Sequence, residues 1–60
     1  MLTPRHKEIA ELLIQGMSNK EIARALGIRP NTVKVHLSEM YGRLEVTSRG
    51  KLVSKLSRQA

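Results

Sequence analysis

Lys34, Val35 and Ser38 share one side of an amphipathic stretch that follows Pro30. Stepping 100° per residue from Val33 puts Leu37, Met40 and Leu44 within an arc of about 60°, which makes that arc the apolar face. The opposite side carries Lys34, Val35, Ser38, Glu39 and Gly42. A β-branched apolar residue therefore stands in an otherwise polar stripe. An ammonium group can donate to guanine O6 or N7, a hydroxyl can donate or accept, and a valine can touch a thymine methyl, so the stripe has the chemistry of base-edge contacts. The plainer account of Val35 is a solitary exposed apolar residue of the kind every surface carries. The elements around it decide between the two.

Ser18 and Glu21 have the spacing of a capping box, in which the hydroxyl takes one backbone N–H and the carboxylate reaches back to another. A helix is predicted over roughly residues 19–26, with Ile22, Ala23 and Leu26 at helical spacing and Gly27 as its left-handed stop. Pro30 suits the first position of the next helix, approximately residues 30–44, because its missing N–H has no intrahelical partner there. Two helices joined by so short a turn form a helix-turn-helix, whose second helix enters the major groove of DNA. Before this pair, Thr3 and Pro4 open a helix that carries Ile9, Ala10, Leu12 and Leu13 inward and stops at Gly16. After it, Ser48 caps a last helix with Leu52, Val53 and Leu56 as apolar positions. Val53 lies 100° from Leu52 and is exposed unless a second chain covers it. The expected fold is an all-α, four-helix unit spanning residues 1–60 as one domain.

Sixty residues bury only a small core, which leaves little room for a cavity that excludes water. No grouping of nucleophile, base and orienting residue is present, so an enzyme is not expected. The chain has no cysteine, and its two histidines are thirty residues apart without further ligands in the sequence around them, so neither a metal site nor a cofactor is expected. No apolar run reaches membrane-spanning length, and a cytoplasmic location with no membrane partner fits the composition. The charge is uneven. Residues 1–28 set four basic side chains against three acidic ones, and residues 29–60 set seven against two, giving +1 and +5 of the net +6. A polyanion is the partner such a field attracts, and nucleic acid is the commonest.

The runs LTPR, GMSNKEIARALGI, NTVKVHL and RLEVTSR, in this order over nearly the full length, carry a specific resemblance. The chain resembles the LuxR-type (GerE-like) DNA-binding domain of bacterial transcription regulators. That resemblance implies a four-helix domain with its third helix in the major groove and its last helix available for homodimerisation through Val53. It also implies a place at the C-terminal end of a longer regulator, such as a response regulator. Carried over by position, Lys34, Val35 and Ser38 fall where such domains touch bases, with Asn31 at the groove edge. Ser18, Asn19, Lys20, Thr32 and Arg49 fall where they hold phosphates. Four positions depart from the family pattern. His6 replaces a usual Glu, which is expected to forfeit the reciprocal half of a capping box at Thr3. Arg29 stands where a Ser normally caps the third helix, Gly42 interrupts that helix, and Glu45 replaces a Gly that often ends it.

The expected function is therefore sequence-specific binding of double-stranded DNA in transcription regulation, as a dimer on an inverted repeat, with no small-molecule ligand in this domain. The alternative is an interaction module that docks on RNA polymerase or a partner regulator, with Val35 as its anchor. Sigma factors carry a related helix-turn-helix as a minor variant. His36 lies at the edge of the apolar face and is read as a structural histidine or a phosphate donor.

Overall fold

The structure, a computed structural model, describes residues 2–59, and side chains as far as residue 58. It contains α1 (Pro4–Ile14), α2 (Asn19–Leu26), α3 (Pro30–Leu44) and α4 (Arg49–Gln59). The fold is all-α, as expected, and each predicted helix is present. None of the described helices is long and apolar enough to cross a membrane.

Local signals account for each boundary. The Thr3 hydroxyl accepts the N–H of His6 at 3.1 Å, and Pro4 occupies the first turn. The expected loss of the reciprocal bond does not occur: His6 Nδ1 accepts the Thr3 N–H at 3.2 Å. An imidazole places an acceptor near where the Glu or Gln of the usual motif would place one, so the box closes with histidine in the third helical position. α1 ends at Gly16, whose φ of 89° lets the N–H of Met17 turn back to the carbonyl of Leu12. Ser18 and Glu21 cap α2 in both directions, at 3.2 and 2.8 Å. Gly27 ends it at φ 69°, with the N–H of Ile28 on the carbonyl of Ala23.

Arg29 stands at the N-cap of α3 with no side-chain cap hydrogen bond, as its substitution for a hydroxyl residue implies. The other end is less comfortable. Glu45 adopts the left-handed conformation at φ 55° and ψ 47°, which costs a non-glycine residue about 1 kcal/mol. Lys55 offsets part of that by donating from Nζ to the carbonyl of Leu44 at 2.8 Å. A cation at a helix C-terminus meets both an orphan carbonyl and the negative end of the dipole. Ser48 caps α4 through the N–H of Lys51.

The core is a single cluster of Ile9, Ala10 and Leu13 from α1, Ile22 and Ala23 from α2, Val33, Leu37 and Met40 from α3, and Leu52 and Leu56 from α4. Ala23 lets α2 approach α3 closely, and α1 and α4 back the pair from the other side. Leu2 and Met17 pack against the cluster as partial covers. Val53 does the same, so it is half-buried by its own chain, where the sequence left it exposed. The one charged or polar side chain fully inside, among the described residues, is His6.

Candidate nucleic-acid interface

α3 is two-faced. Val33, Leu37 and Met40 are buried on one side, and this fixes the rotation of the helix. Asn31, Lys34, Val35 and Ser38 are thereby turned outward, and all four are exposed. Val35 is half accessible, and apart from Ile14 it is the only large apolar side chain so exposed among the described residues. At about 1.5 Å per residue the fifteen-residue helix is roughly 22 Å long, enough to cross a major groove about 12 Å wide.

The residues expected at phosphates divide into two groups. Ser18, Lys20 and Thr32 are exposed at the N-terminal ends of α2 and α3. The Ser18 oxygen accepts from the N–H of Glu21 at 3.2 Å. Asn19 and Arg49 are only partly exposed, and they meet each other. The Arg49 guanidinium donates from Nη1 to Asn19 Oδ1 at 2.8 Å and from Nη2 to the carbonyl of Met17 at 2.7 Å. Arg49 thus ties the start of α4 to the turn that begins α2. It also occupies the Asn19 amide oxygen, so that the donating group left to that side chain is its NH2. This brace joins residues thirty apart, and no local spacing announces it.

A second long-range connection was also invisible in the sequence. His6 Nε2 lies 2.8 Å from Glu39 Oε1, linking the first turn of α1 to the outer side of α3. Since His6 Nδ1 accepts from Thr3, the ring proton sits on Nε2 and is donated to the carboxylate. That hydrogen bond, more than any other neighbour, holds the Glu39 carboxyl below its ordinary value. His36 is half-buried with its ring edge-on to His6. The Ser18 N–H and hydroxyl act likewise on Glu21, with Arg24 a lesser contributor.

Residues 1–56 match the model of the luxR family of bacterial regulatory proteins. The chain belongs to that family. Within it, the helix-turn-helix of α2 and α3 is the DNA-binding unit of transcription regulators. The chain is 40% identical over 97% of its length to a putative HTH-type transcriptional regulator of Mycobacterium bovis, of which it spans 7%. It is 54% identical over 80% of its length to the putative HTH-type transcriptional regulator YhjB of Escherichia coli, of which it spans 24%. With the nitrate/nitrite response regulator protein NarL of Escherichia coli it shares 48% identity over 80% of its length, spanning 22% of that protein. The chain is thus similar to a minor part of each of these luxR-family relatives.

Proposed function

We propose that the chain reads double-stranded DNA by laying the outward side of α3 in the major groove, as one half of a symmetric homodimer on an inverted repeat. One observation carries the reading: Lys34, Val35 and Ser38 are exposed on the helix whose other side is locked into the core. Lys34 donates to guanine, Val35 meets a thymine methyl, Ser38 donates or accepts, and Asn31 works at the groove edge. Ser18, Asn19, Lys20 and Thr32 hold phosphates together with the free N–H groups at the starts of α2 and α3. Arg49 serves that end of the interface mainly by orienting Asn19. The last helix, with Val53 at its margin, supplies the dimer contact, and the chain acts as the output domain of a longer cytoplasmic regulator. No catalytic role is assigned to it.

Selection of bound sites from a pool of randomised duplexes tests the whole reading. A two-fold site with half-sites about 10 bp apart is expected. The affinity of the selected site should fall steeply with salt as neutralised phosphates release counterions. Lys34→Ala should relax preference at one position of each half-site by about 1–3 kcal/mol, whereas Lys20→Ala should weaken all duplexes alike and reduce the salt slope by about 1. Enrichment of no sequence, with binding no stronger than that of any basic protein, would favour a module that docks on RNA polymerase or another regulator.

A further inference from the structure

The two histidines, thirty positions apart in the sequence, meet in the fold. The His6 and His36 rings have centroids 5.3 Å apart, and Glu39, one turn beyond His36 on α3, completes a group of three. Glu39 Oε1 is 2.8 Å from His6 Nε2 and 3.4 Å from His36 Nδ1, and the three ligand atoms all lie within 4.8 Å of one another. In a tetrahedral zinc centre with bonds of about 2.0–2.1 Å, ligand atoms stand about 3.3 Å apart. One edge is already that length, one must open by about half an ångström, and the third is no longer than 4.8 Å. The two outer side chains, which are partly exposed, can supply that movement.

A second observation points the same way. His36 Nδ1 is buried and makes no well-formed hydrogen bond among the described residues, with Glu39 Oε1 3.4 Å away. A buried imidazole nitrogen left unsatisfied is unusual in a native fold. A metal ion at the centre of the group would satisfy it, and the accessible Glu39 leaves a further position open to water.

We propose that His6 Nε2, His36 Nδ1 and the Glu39 carboxylate form a site for a borderline divalent metal ion of the Zn²⁺ or Ni²⁺ type, clamping α1 to α3. Two imidazoles and a carboxylate suit such ions. Binding has a defined proton balance. The Nε2 proton of His6 leaves to solvent, the metal takes that lone pair, and the neutral ring takes one proton from solvent at Nδ1. The net proton change at His6 is zero. The Nδ1–H then faces the Thr3 N–H, so the hydrogen bond between them breaks and the exposed Thr3 turns to water. The ion therefore competes with the start of α1, and affinity should be lower than at a closed structural zinc site.

The test is a titration of the sixty-residue chain, without a histidine tag, with ZnCl2 in a non-coordinating buffer. Calorimetry gives stoichiometry and affinity, and NMR follows the histidine rings and the Thr3 amide. One equivalent is expected, with the His6 ring, the His36 ring and the Thr3 amide shifting along one binding curve. His36→Gln and Glu39→Gln alter partly exposed positions, so both variants should keep the helical spectrum and bind zinc at least about tenfold more weakly. Wild-type affinity in those folded variants would overturn the proposal. So would the absence of saturable binding at millimolar zinc, or a curve in which the His36 ring shifts while His6 and Thr3 do not.

Discussion

Replacing Arg49 by alanine separates two roles that the sequence alone cannot distinguish. The side chain makes two hydrogen bonds, one to the Asn19 amide oxygen at 2.8 Å and one to the Met17 carbonyl at 2.7 Å. Hydrogen bonds from a charged donor contribute about 1.5–3 kcal/mol when buried. Arg49 is partly exposed, and both acceptors can turn to water once it is gone, so about 1 kcal/mol each is the appropriate scale. Arg49→Ala should therefore lower the unfolding free energy by about 2 kcal/mol. Against the roughly 3–9 kcal/mol typical of a sixty-residue fold, that is readily measured. Arg49→Lys keeps a cation but can satisfy only one acceptor well, and should lose about half as much.

The assay is urea denaturation without DNA, paired with the salt dependence of DNA binding. A brace predicts reduced stability and a salt slope unchanged between wild type and Arg49→Ala, because no phosphate contact disappears. A direct phosphate contact predicts the reverse: unchanged stability and a slope smaller by about 0.9. Unaltered stability in Arg49→Ala would refute the argument from these distances, whatever happened to DNA affinity.

His6→Ala should destabilise the fold by about 3 kcal/mol, about 1 from the Thr3 hydrogen bond and at least 2 from the cavity left by a fully buried ring. A melting temperature lowered by less than about 5 °C would contradict that sum. Glu45→Gly should raise stability by about 0.5–1 kcal/mol, because glycine accepts the left-handed conformation but gains freedom when unfolded; a lower melting temperature would show that the strain is not there. The Glu21 carboxyl is held below its ordinary value of 4.5, so its contribution is complete above pH 4.5 and fades as the pH falls through the lowered folded value. Glu21→Gln should accordingly flatten the acid limb of the stability profile, and an unchanged limb would show that other carboxylates dominate it.

The helix starts, and the stops of α1 and α2, could be read from the sequence because they are local chemistry: Ser18 with Glu21, Pro30 at a first turn, Gly16 and Gly27 at left-handed stops. The outward stripe of α3 was legible for the same reason, since helical periodicity separates Val33, Leu37 and Met40 from Lys34, Val35 and Ser38 without knowledge of any other element. What stayed hidden joins residues far apart in the chain. Nothing near Arg49 names Met17 or Asn19, nothing near His6 names Glu39, and nothing near Lys55 names the carbonyl of Leu44. At the third helical position of α1 a histidine nitrogen accepts the N–H that a carboxylate or amide accepts in the usual capping box, an equivalence that the Glu or Gln pattern does not announce.

These hidden connections share a direction. The brace at Arg49, the bond from His6 to Glu39 and the cap from Lys55 each run between α3 or the start of α2 and the two outer helices. None of them uses Lys34, Val35 or Ser38. A core this small fixes the position of α3 less firmly than its rotation, because apolar packing is not directional. Hydrogen bonds at its C-terminal end and outer side, together with the brace at the start of α2, supply the missing direction. The stripe is thereby held in place by residues outside it, so Lys34, Val35 and Ser38 can be exchanged for other base-reading side chains with little effect on stability. If so, a set of variants altered at those three positions should melt within a few degrees of one another while selecting different duplexes. Coupled changes in melting and selectivity would mean that the stripe also helps to hold the fold.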